Sequence, residues 1–111
     1  MSIITNMKLM VYCSCPDSRV AQAIARSLVE QRVAACVNIL PAVRSIYSWQ
    51  GEIHDDAEVL LLIKTGQNHF QALSDIIIRM HPYEVPEIIG VPLEAGYQPY
   101  LEWMDACLKN S

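Results

Sequence analysis

Few side chains in this sequence could do chemistry, and they fall in three places. Cys13 and Cys15 stand two apart in YCSCPD (12–17), a spacing that puts both on one face of a strand, together with Leu9 and Val11. His81 opens HPYEVPEIIG (81–90), directly after Met80. His54 leads the polar triplet HDD (54–56). A cysteine on an apolar strand face reads either as a small buried hydrophobe or as a soft ligand. Cys13 with His81 is the one thiolate–imidazole combination that could act as nucleophile and base, but no third group is placed to orient the imidazole. HDD reads as a solvated turn tip, with a weak cation site as its alternative. His69 reads as a surface residue at a helix start, and Cys36 and Cys107 as packing. The sequence contains no GxSxG elbow, HExxH, phosphate-binding P-loop or GxGxxG. The expectation is a protein that is not an enzyme.

HPYEVPEIIG itself carries two readings. A residue preceding proline is pushed out of the helical region, so Pro82 should end a helix near Met80 and hold His81 extended, and Pro86 should do the same to Val85. That makes the stretch a stiff helix-to-strand connection. Tyr83, Glu84 and Glu87 make it a candidate binding loop instead. A carboxylate beside an apolar strand calls for a cationic partner, with Lys64 and Arg44 as the candidates.

The elements that position these residues follow from periodicity. KLMVYCSC (8–15) is a strand stopped by Pro16, and Asp17 or Ser18 can cap the helix that follows. Val20, Ala21, Ile24, Ala25, Leu28 and Val29 recur at the spacing of one buried helical face. AACVNIL (34–40) and AVRSIYSW (42–49) are extended, with Pro41 marking a bulge or bend between them. Gly51 allows a turn, and AEVLLLIKT (57–65) is the strongest strand. Asn68 can cap a helix whose apolar face is Phe70, Leu73, Ile76, Ile77 and Met80. EIIGV (87–91) is a short fourth strand, and a last helix runs from about Pro99 to Leu108. The order gives the fold class: α+β, a ferredoxin-like βαββαβ antiparallel sheet with an additional C-terminal helix. No linker or repeat divides residues 1–111, so a single domain is expected.

Alternation in 57–65 sends Val59, Leu61 and Ile63 to one face and Leu60 and Leu62 to the other. Two helices cover one face only, so the second face should be buried against other copies of the chain. A mean hydropathy of +0.20 and 52% hydrophobic residues in 111 point the same way. The net charge of −4 and scattered basic residues exclude a nucleic-acid surface. The longest aliphatic run, Val59 to Ile63, is too short to span a bilayer, so no membrane partner is expected. The N-terminal stretch does not read as a signal peptide, and four cysteines without a paired CxxC pattern suit free thiols in a cytoplasmic protein.

AACVNILP (34–41), SIYSWQGEI (45–53), EVLLLIKT (58–65), HPYEVPEII (81–89) and YLEW (100–103) together resemble the CutA family of divalent-cation tolerance proteins, in order and at matching spacing. The resemblance implies a homotrimer, strands pairing across subunits, an architecture similar to the PII signalling proteins, and no catalytic activity. It implies a role in tolerance to copper or another divalent metal ion. It brings the ends of the first strand and the second helix together, making Cys13, His81 and Met80 a soft ligand set better suited to Cu(I) than to Mg²⁺ or Ca²⁺. Where family members proposed to bind copper carry two histidines before Pro-Tyr, this chain reads Met80-His81, and Cys15 is a possible substitute ligand. The alternative is a PII-like regulatory or scaffold trimer that holds a small anion or a partner's loop in an inter-subunit cleft lined by Lys64, Tyr83, Glu84 and Trp49, with interface packing as the competing role for Trp49.

Overall fold

Alternating burial along one long strand organises the molecule. The computed structural model describes residues 7–109. In it β1 (Lys8–Cys15), α1 (Ser18–Glu30), β2 (Cys36–Trp49), β3 (Glu52–Gly66), a 3₁₀ turn (Gln67–His69), α2 (Phe70–Met80), β4 (Ile89–Pro92) and α3 (Gln98–Cys107) follow in that order. The sheet order is β2-β3-β1-β4 and every neighbouring pair is antiparallel. The expected mixed α+β class, βαββαβ order and extra C-terminal helix are therefore present.

Leu61 and Ile63 are fully buried and Val59 nearly so, while Leu60 and Leu62 are half-buried on the opposite face. Leu9, Val11, Cys13 and Cys15 of β1 join the first set in a core closed by Ile24 and Leu28 of α1 and Leu73 and Ile77 of α2. Both helices thus cover the same face. Asp17 caps α1 by accepting from the Val20 N–H at 2.9 Å. At the far end of α1, Arg32 has a φ of 61°, and its guanidinium donates to the carbonyls of Ala106, Cys107 and Leu108. It thereby satisfies carbonyls that the end of α3 leaves open.

β2 and β3 run far past β1. β1 pairs with β3 only from Val59 to Gly66, whereas β2 follows β3 back to Glu52. The result is a two-stranded arm, and the molecule measures 50 × 24 × 23 Å. The fifteen residues of β3, at about 3.3 Å each, span that length. One extra residue in β2 between Leu40 and Val43 shifts the register at Pro41, where Ala42 takes a φ of 64°. This is the expected bulge. Gln50 and Gly51, at φ 53° and 81°, close the arm with a two-residue turn of the kind that matches strand twist.

Several expectations need correction. HDD is not a turn tip: His54, Asp55 and Asp56 lie inside β3, opposite Tyr47, Ile46 and Ser45. The Asp55 carboxylate takes two hydrogen bonds from Arg44, at 2.7 and 3.1 Å, Asp56 accepts from the Tyr47 hydroxyl at 2.5 Å, and His54 stacks on Tyr47. A two-stranded arm has no core face to impose alternation, so a polar run fits it, held by cross-strand pairs. His69 is buried at 3% exposure, with Nε2 2.7 Å from the Lys109 carbonyl, because the 3₁₀ turn aims it inward. α2 starts from that turn with no side-chain cap, not from an Asn68 cap. Met80 and Val29, assigned to buried helical faces, are 39% and 42% exposed. Each lies near the end of its helix.

Candidate functional site

Two sites meet at the end of β1. The first is a buried group of thiols and an imidazole. β1 delivers Cys13 and Cys15 to the helix-covered face, both with no exposure. α2 ends at Met80, as Pro82 requires, and His81 follows at φ −83°, ψ 135° with its N–H still bonded to the Ile77 carbonyl. That extended residue turns its ring inward to 7% exposure. One ligand atom each from Cys13, Cys15 and His81 then lies within 4.8 Å of the others, the one group of three such residues among the described residues. The Tyr83 N–H donates to His81 Nδ1 at 3.1 Å, so Nδ1 carries the ring's lone pair. Nε2 carries the proton and donates to the Ser14 carbonyl at 2.8 Å. This second bond fixes the tautomer.

The two thiols shift each other in opposite directions. A hydrogen bond to Cys15, reinforced by burial, pushes the Cys13 thiol far up, and that same bond pulls Cys15 down. Cys15 is thus the readier thiolate.

The second site is a cavity of about 570 Å³ between the arm and the 82–88 loop. Tyr47, Trp49 and Tyr83 line it with Glu58, Glu84 and Glu87. Glu58 is buried at 5% exposure and accepts from the Tyr83 hydroxyl at 2.5 Å. Burial, then this hydrogen bond, raises the Tyr83 phenol well above its ordinary value. Ser14 Oγ donates to Glu87 at 3.2 Å. The loop is therefore tied to both β1 and β3, so the stiff connection and the candidate binding loop are one structure.

Of the expected cleft residues, Trp49, Tyr83 and Glu84 come together within the subunit, and Lys64 does not. Lys64 donates to Asn38 and lies 3.7 Å from the Cys36 sulfur, six residues along β3 from Glu58. That is about 20 Å of strand. Arg44 is taken by Asp55. Neither supplies the cation expected beside Glu84 and Glu87. Glu58 was missed altogether. Its signal was a carboxylate on the same strand face as Leu60 and Leu62.

Comparison with known proteins places this geometry. The family model described as CutA1 divalent ion tolerance protein matches residues 9–107. Protein CutA of Homo sapiens is 50% identical over 93 residues, 84% of this chain and 52% of that protein. The chain thus spans about half the length of that relative. The divalent-cation tolerance protein CutA of Thermus thermophilus is 47% identical over 98 residues, covering 88% of this chain and 95% of that one. The solved structure of a Thermus thermophilus divalent cation tolerance protein superposes with a TM-score of 0.91 at 45% identity, covering 93% of this chain and all of that one. The two Thermus thermophilus proteins are named for divalent-cation tolerance and not for a catalysed reaction. With nearly every described residue inside the matched span, the chain belongs to the CutA1 divalent ion tolerance family.

Proposed function

We propose that this chain serves divalent-ion tolerance as a cytoplasmic homotrimer that holds copper or another soft metal ion at Cys13 and His81. The observation that carries the reading is the buried convergence of Cys13, Cys15 and His81. Thiolate and imidazole donors suit Cu(I), and the hydrogen bond from Nε2–H to a backbone carbonyl is the arrangement that presents the other ring nitrogen to a metal. Cys15 adds a second thiolate. Met80, 39% exposed at the end of α2 and adjacent in sequence to His81, remains the candidate for a further soft ligand. The ion competes with the Tyr83 N–H for the Nδ1 lone pair, so binding loosens the 82–85 turn and affinity is modest. All four cysteines are free, which suits a reducing compartment, and no helix among the described residues is long and apolar enough to cross a membrane.

The trimer reading rests on the arm and the open sheet face, where Ile46, Ile53, Ile89 and Val91 are 47–74% exposed. For the PII-like alternative, an anion or a partner's loop held in a cleft between subunits, no Lys or Arg among the described residues lines the cavity within one subunit.

A competition titration with Cu(I), under reducing, oxygen-free conditions, tests the metal site. Cys13→Ser and His81→Ala should each weaken binding about tenfold or more. Affinity should fall as pH drops, because both thiols must lose protons to bind. Wild-type affinity in both variants would send any copper elsewhere. Light scattering behind a sizing column should give about three subunit masses, and a stable monomer at micromolar concentration would overturn the assembly.

A further inference from the structure

The cavity carries a chemistry that the thiol site does not. Glu58 forms its floor, 95% removed from solvent by its 5% exposure, and among the described residues its only side-chain partner is the neutral Tyr83 hydroxyl. A buried carboxylate without a counter-charge is costly. Glu84 and Glu87 add two more carboxylates at the exposed rim, and Tyr47, Trp49 and Tyr83 supply aromatic wall, with Ile46, Val85, Ser14 and Ser45 completing the lining. No lysine, arginine or histidine belongs to the lining. Arg44, the cation nearest in sequence to the arm wall, is held by Asp55.

This combination has a sign and a shape. Negative charge on floor and rim excludes an anion. Aromatic walls attract cations through their ring faces. A bare divalent ion needs three or more oxygens converging on one point, and the three glutamates do not form such a group. A volume near 570 Å³ lies within the range of about 300–1,000 Å³ typical of small-molecule sites. We propose that the cavity binds a small organic cation bearing one or more alkylammonium groups, with Glu58 neutralising the buried charge, Glu84 and Glu87 steering it in, and Tyr47, Trp49 and Tyr83 covering its carbon chain. This site is distinct from the thiol site but shares the 82–85 turn with it, so it is titrated in the metal-free protein.

The test is calorimetric titration of the full-length protein, in its natural assembly, with 1,4-diaminobutane. 1,4-Butanediol is the uncharged isostere, and Mg²⁺ and glutarate are the charge controls. Saturable diamine binding is expected, at least tenfold tighter than diol binding, with no glutarate binding. Glu84→Gln, at an exposed position, should weaken it about threefold. Glu58→Gln, which keeps an oxygen for Tyr83, should weaken it tenfold or more. Cys13→Ser should leave it unchanged, which separates this site from the metal reading. The proposal is overturned if diol matches diamine, if Mg²⁺ binds as tightly with the same dependence on both glutamates, or if glutarate binds instead. It is equally overturned if both glutamate variants bind diamine as wild type does, or if the assembled protein takes up none because another copy fills the cavity.

Discussion

The two ends of β3 obey different rules. From Val59 to Gly66 the strand lies between β1 and β2 with helices on one side, and its residues alternate strictly between buried and half-buried as far as Thr65. From Glu52 to Ala57 it has only β2 for company, and the alternation dissolves into a salt bridge, a stacked ring and exposed isoleucine. An isolated two-stranded ribbon is marginal in water. The first half is held by the subunit's own core. The second survives on cross-strand pairs and on whatever covers it. Glu58 sits at the joint, the one carboxylate of β3 that is buried.

The sharpest way to probe the first half is a charge on each of its faces. Leu61→Asp places a carboxylate where exposure is zero, and should cost more than about 4 kcal/mol, enough to leave little folded protein by circular dichroism. Leu62→Asp, one residue on but facing the open side, should cost less in the subunit while disrupting assembly. Equal losses at the two positions would dissolve the distinction between faces.

At the joint, Tyr83→Phe removes the donor to Glu58 and should cost about 1–3 kcal/mol, read from denaturant midpoints at constant slope. The same bond has a pH signature. The phenol is raised in the folded state, so its contribution is complete below its unfolded pKa of about 10 and is lost as pH climbs through the raised value. Tyr47 and Tyr100 are raised as well, so ultraviolet titration of the five tyrosines should find Tyr83 within a late-ionising group, and Glu58→Gln should bring it earlier. A Tyr83 that titrates at the ordinary tyrosine value would show that the 82–88 loop does not close over Glu58 in solution.

The smallest expected effect on the subunit is in the arm. Ile53→Lys, at 74% exposure, should change intrinsic stability by less than about 0.5 kcal/mol. Its consequence should appear in assembly, as a smaller mass and a melting temperature that no longer rises with protein concentration. An unchanged mass would leave the arm as a free ribbon.

Much of this was legible in the residues alone. Apolar alternation in 57–65 assigned Leu61 and Leu62 to opposite faces, Asp17 announced its cap, Pro41 its bulge, and Pro82 the end of α2 and the extended His81. These are local effects, written within a few residues by sterics and periodicity. Local signals also misled: a polar HDD looks like a turn unless the strand is known to run on without a core beside it, and His69 looks exposed unless the 3₁₀ turn is known to point inward. Bare sequence could nominate Cys13 and His81, but their meeting across 67 residues between His81 and Ser14 depends on which crossover sets α2 beside β1. The burial of Glu58 likewise depends on a loop 25 residues away folding over it, and Lys64 misses the cavity because strand register carries it to the other end of the sheet. Such placements are decided by long-range packing, because a side chain's chemistry states what it can bind and only the register of distant strands determines what it meets.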